Sequence, residues 1–169
     1  MSANERLRRD PIGLVWEHLA EERVAMIGTP EAARPLRPMS LNVSPEECAI
    51  WIFTRADGEF AREVGDGGRS HLVSMGKDGS TQVSIVGRIE PSHSALHIER
   101  YWTPLVAAWF DRGRDDPAVL LMRFTPQTGT VWVSSGGILA AGWEIAKASL
   151  IGERPDLGDT ADLVFTAVI

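Results

Sequence analysis

Four histidines, one cysteine and several paired carboxylates are the obvious reactive side chains of this sequence, and their spacing decides what each can do. His93 and His97 stand four apart in a stretch of helical composition, a spacing that can present two imidazoles on one helix face to a metal. No third ligand follows, because Glu99 points elsewhere and the glutamate that directly follows the first histidine of a zinc-binding helix is absent. The preferred reading is two partly exposed helix histidines, and no metal is expected. His71 reads as a half-buried strand residue. Cys48 follows Pro45-Glu46-Glu47 and has no basic neighbourhood to lower its thiol pKa, so it reads as a small core filler. Glu21-Glu22, Glu46-Glu47 and Asp115-Asp116 are adjacent pairs whose side chains diverge, which suits turns and solvated faces better than acid/base work. No glycine-serine-glycine elbow is present. Gly65 to Gly68 lacks the strand before it and the helix after it that a dinucleotide fingerprint requires. Trp102 and Trp109 are seven apart and would share a helix face, either as core packing or as an aromatic wall against a planar ligand or a second subunit.

The elements that must position these residues follow from periodicity. Asp10-Pro11, then Ile12, Val15, Trp16 and Leu19, predicts a capped amphipathic helix ending near Glu22. Strands are predicted from Arg23 to Gly28, Leu36 to Val43 and Ala49 to Thr54, the last two separated by a turn at Ser44 to Glu47. A short helix is expected from Gly58 to Val64. Two strands joined at Asp78-Gly79 read as a hairpin, with Val83, Ile85 and Ile89 on one side of the second. Ser92 to Phe110 turns helical, with a break at Thr103-Pro104. Val119 to Phe124 and Thr130 to Val133 read as a hairpin around Pro126 to Gly129. Ile138 to Leu150 has helical composition, and Leu163 to Val168 suits a last strand.

About six strands with short connections point to a mainly β fold with helices, an antiparallel barrel. The 169 residues, 44% hydrophobic, supply one core, so a single domain over 1–169 is expected, with 1–9 as a flexible N-terminus. A formal charge of -6 excludes broad attraction to nucleic acid or an anionic membrane surface. No membrane-length apolar run and no secretory signal are visible, which makes the cytoplasm the default location.

Leu36-Arg37-Pro38-Met39 in one strand, Ile50 to Thr54 in the next, and the block from Tyr101 to Trp132 occur in an order that resembles the general stress protein branch of the pyridoxamine 5'-phosphate oxidase-like, FMN-binding split-barrel family. The resemblance spans roughly residues 10 to 150, and the last block is its most specific part. It implies a six-stranded antiparallel split β-barrel and a homodimer with two flavin sites at the subunit interface, taking FMN, with FAD as the alternative. It assigns Arg37, Pro38 and Met39 to the cofactor lining, with a guanidinium suited to a phosphate. Phe53 and Thr54 would face the isoalloxazine ring and its chain, and the partner subunit's Trp109 would flank the ring. The family's phosphate-binding serine and lysine correspond to Gly58 and Phe60 here. Arg62 cannot stand in for the lysine, being two residues from it on a helix, which leaves Arg55 or Arg37 to compensate. A lost bond to a charged group costs about 1.5 to 3 kcal/mol.

Three functions remain open at this point. One is a stress-related FMN-dependent oxidoreductase of unknown substrate, in which the flavin supplies the electron chemistry. Another is a flavin-binding protein without turnover, in keeping with the lack of any convincing acid, base or nucleophile. The third is a dimeric scaffold with a degenerate phosphate site, Phe60 filling the former pocket or simply packing on the core with Val64.

Overall fold

A computed structural model describes residues 3–30, 35–134 and 158–166. Chain order is α1 (Ala3–Arg9), α2 (Pro11–Glu22), β1 (Val24–Gly28), β2 (Arg37–Ser40), β3 (Asn42–Ser44), β4 (Ala49–Arg55), α3 (Glu59–Val64), β5 (Gly68–Met75), β6 (Thr81–Ser92), α4 (Ala95–Tyr101), α5 (Pro104–Ala107), β7 (Val119–Val133) and β8 (Asp159–Val164). The strands form one antiparallel sheet in the order β2-β1-β5-β6-β7-β4-β3, with β8 also paired to β7. Although β2 and β4 lie near opposite ends of that order, they touch each other without pairing. The sheet therefore curls almost closed and leaves a seam, which is the form of a split barrel.

The described residues hold eight strands where about six were expected, and two boundaries shift. The predicted strand from Leu36 to Val43 divides at Leu41, whose N–H still bonds the carbonyl of Arg23 at 2.8 Å in the β1–β2 register, while from Asn42 the chain pairs with β4 instead. At the other end, β8 begins at Asp159, before the predicted start at Leu163.

The hairpin expected around Pro126 to Gly129 is instead continuous strand, and β7 runs fifteen residues. Its first half pairs with β4 and its second with β8, while β6 follows it on the other side. The turn-like residues serve the ladder itself. Pro126 faces Gly87 where the β6–β7 register shifts between Val86 and Gly87, and a Cβ on Gly87 would lie 2.3 Å from the Thr125 carbonyl oxygen. A bulge there absorbs a proline that cannot donate to the ladder.

Two further expectations change. Residues 1–9, expected as a flexible terminus, contain α1, which buries Leu7 and joins Arg8 to Asp159 in an ion pair of 2.8 Å. The helical stretch expected from Ser92 to Phe110 does break at Thr103-Pro104, into α4 and α5, but it starts later and ends earlier, because β6 continues to Ser92 and α5 stops at Ala107. The predicted helix from 138 to 150 lies outside the described residues.

The core fills the curl. α2, capped by the Asp10 carboxylate on the Gly13 N–H, inserts Val15 and Leu19 against Ile27, Leu72, Ile85 and Leu163. The adjacent apolar residues of β4 are explained by burial on both faces. Ile50 and Ile52 point into the main core, while Ala49, Trp51 and Phe53 face outward against Leu121, Ile98 and Tyr101. That second small core seats α4 on the outside of the sheet.

Candidate functional site at the end of strand β4

Strand alternation divides the candidate residues into an inner and an outer group. On the inner side, Arg37 begins β2 and extends toward α3. Its Nη2 donates to Glu63 Oε2 at 2.5 Å, and its guanidinium carbon lies 5.0 Å from the centre of the Phe60 ring. Glu63 is held from its other oxygen by the Thr29 hydroxyl at 2.7 Å and the Thr29 N–H at 3.2 Å. Burial pushes the Glu63 carboxyl up, but bonds from Thr29 and then Arg37 outweigh it and leave the pKa below the usual carboxylate range. Arg37 Nη1 is buried and has no partner among the described residues.

Phe60 is 3% exposed and packs with Val64 in the main core. Of the sequence alternatives for Phe60, core packing is the one observed. Met39 also packs on that core, whereas Pro38 is exposed, paired opposite Met26. Arg37, Pro38 and Met39 thus do not line one surface together. Thr54, half-buried, follows Ile52 on the inner side and pairs with Leu120. Gly58 closes a turn, its N–H on the Arg55 carbonyl at 3.0 Å, and a Cβ there would meet that oxygen at 2.9 Å.

The outer group is aromatic. Phe53 is half-buried and meets Trp102 edge to face, with ring centres 5.8 Å apart, and Trp102 continues to Phe110 at the same spacing. Trp109 is 72% exposed. It is therefore not on a shared helix face with the half-buried Trp102, since the chain breaks between α4 and α5. Arg55 reaches the Trp109 carbonyl at 3.5 Å and grips Asp57 with two bonds of 2.9 and 2.8 Å. Arg62 turns its guanidinium to the Asp57 carbonyl at 2.6 Å, away from the buried Phe60 face.

Sequence reasoning missed a polar cluster beneath α4. His93 precedes α4, so it shares no helix face with His97. His97 instead stacks on Trp51, with centres 4.0 Å apart, and its Nε2 bonds Glu47 Oε1 at 2.9 Å. The Trp51 indole donates to the other Glu47 oxygen at 3.0 Å. The bond with His97 is the largest influence holding the Glu47 carboxyl down at about 2. The only sequence signal was the acidic pair Glu46-Glu47, which by itself suggests a turn. Among the described residues no three histidine, cysteine or acidic side chains are grouped to hold a metal. Cys48 is buried, and burial is the main cause raising its thiol pKa.

Chemically, the outer group can hold a flat aromatic molecule by stacking. The inner group offers one buried donor, Arg37 Nη1, on a guanidinium whose charge already faces a carboxylate. A seam-bearing antiparallel barrel with helices on its rim and an open aromatic wall at one strand end defines the class as a split barrel. The chain belongs to the family described as pyridoxamine 5'-phosphate oxidase like, whose model matches residues 10–156. Among solved structures it is similar to general stress protein 26, as assigned, from Jannaschia sp. CCS1, with 31% identity over 89% of this chain and 95% of that one and a TM-score of 0.74. It is also similar to the general stress FMN/FAD binding protein of Xanthomonas citri, with 26% identity over 73% of this chain and 89% of that one and a TM-score of 0.65. A relative of general stress protein 26 from Clostridium acetobutylicum, 19% identical over 79% of this chain and 91% of that one with a TM-score of 0.60, shares the fold. A comparison with curated proteins finds no match. No helix among the described residues is long and apolar enough to cross a membrane.

Proposed function

We propose that this protein binds a flavin, FMN or FAD, against the aromatic wall at the end of β4, and does so as a homodimer. The observation that carries the reading is Trp109, a large aromatic side chain left exposed next in sequence to Phe110, whose ring continues the Phe53–Trp102 pair, in a chain of this family. Leu96 and Leu105, on α4 and α5, are also exposed and extend the apolar surface, which suits a second copy of the chain. The partner subunit's Trp109 would then close the ring site. A bound flavin would supply electron transfer, and the protein's share is to orient the ring and exclude water.

A stress-linked oxidoreductase is the activity in keeping with this site, with the cytoplasm as the compartment that suits a single buried thiol. The alternative, a dimeric scaffold without turnover, is favoured by Phe60, which fills the core at the position of the family's phosphate lysine. Visible absorbance of the purified protein and a titration followed by flavin fluorescence test the reading. Saturable quenching is expected, followed by bleaching when a reduced nicotinamide nucleotide is added. Flavin fluorescence unchanged at high protein concentration overturns it.

A further inference from the structure

Resting on the flavin reading, we propose that Glu63 and Asp57 cancel the two arginines nearest the end of β4, Arg37 against α3 on the inner side and Arg55 beside the Trp109 backbone on the outer side, so that the protein takes a flavin but gains no affinity from its terminal phosphate dianion. A phosphate monoester carries about -1.5 to -2 charges at pH 7, and a site that prefers it needs a cation with charge and donors to spare. Neither arginine placed to serve here has both. Arg37 faces Glu63, and Glu63 is fixed from behind by two donors of Thr29, so it cannot turn away without breaking both bonds. Arg55 is held by Asp57 through two parallel bonds. Arg62, the next arginine along α3 among the described residues, bonds the carbonyl of the same Asp57.

The pairing of Arg37 with Glu63 is also sheltered, their side chains being 20% and 9% exposed, so solvent and salt screen it weakly. A dianion approaching Arg37 meets the Glu63 carboxylate on the same guanidinium and is repelled. The other terminal nitrogen of Arg37, Nη1, is buried and so is not presented to a ligand either.

The test titrates riboflavin and FMN in parallel against the full-length protein, the variant Glu63→Gln, and the variant Asp57→Asn. Glutamine keeps an acceptor for Thr29 while removing the charge, and Asp57 is exposed, so one variant remains informative should the other not fold. The wild type is expected to bind the two flavins within about threefold of each other, because no charged bond distinguishes them. Either variant is expected to raise FMN affinity about tenfold and leave riboflavin unchanged, the lower end of what one charged hydrogen bond contributes. Wild-type binding of FMN tenfold or more tighter than riboflavin overturns the inference and leaves the flavin reading intact. Variants that change both flavins equally, or neither, remove Glu63 and Asp57 as determinants. Failure of both flavins to bind any of the three proteins overturns the flavin reading and this inference with it.

Discussion

Arg37 lies on the face of Phe60, with its guanidinium carbon 5.0 Å from the ring centre, and the two hold the start of β2 against α3. A cation over an aromatic face contributes about 0.5 to 2 kcal/mol. The contact places an uncharged, buried ring where the family resemblance expects a phosphate-binding lysine.

Phe60→Lys is therefore expected to destabilise the protein without creating a phosphate site. It removes a ring that is 3% exposed and puts an ammonium beside Arg37 in its place. Truncating a buried phenylalanine alone costs about 3 to 5 kcal/mol, and the buried like charge adds to that. Urea denaturation should show a lower midpoint, with FMN affinity not improved. A stable variant that binds FMN much more tightly would show that position 60 faces the ligand.

Trp109→Ala should behave in the opposite way. The side chain is largely exposed in a single chain, so chemical stability at low concentration should move by no more than about 0.5 kcal/mol. Flavin quenching and the sedimentation coefficient should both fall. If both are retained, neither the wall nor the dimer depends on this residue.

Acid should loosen α4 through Glu47. Its carboxyl is lowered from 4.5 to about 2, first by its bond with His97. A carboxyl with a depressed folded pKa adds stability that is complete above its unfolded value and disappears as pH falls through the folded one. The loss is thus expected between pH 4.5 and about 2. Trp51 fluorescence reports it, because the indole stacks on His97 and bonds Glu47. In Glu47→Gln the change with pH over that window should be largely gone, and an unaltered profile would assign it to other carboxyls.

Gly87→Ala probes the long strand. A methyl group 2.3 Å from the Thr125 carbonyl oxygen forces the bulge to open, at a cost of about 1 to 3 kcal/mol. Hydrogen exchange should quicken along the β6–β7 ladder near Pro126, and unchanged exchange would mean that the register shift tolerates a side chain.

Much of the fold was legible because hydrophobic periodicity reports local structure. The cap at Asp10, the apolar stripe of α2 and the alternation of β6 were all visible before the structure. β7 was misread for a definite reason. Pro126 and Gly129 are turn residues by composition, and only the pairing with β6, where Gln127 bulges opposite the step from Val86 to Gly87, shows that they stay within a ladder. Leu7 of α1 was equally illegible, because it gains its burial from elements distant in sequence.

The sequence by itself determined the strand and helix material, the short connections that favour an antiparallel barrel, and the substitutions at Gly58 and Phe60. Those are properties of residue type and order. The tertiary structure decided what the charges do. Arg37 and Glu63 are twenty-six residues apart, and His97 and Glu47 are fifty apart. Each pair acts over a few ångströms, so its partnership exists only once the sheet has curled and brought distant side chains within hydrogen-bond reach.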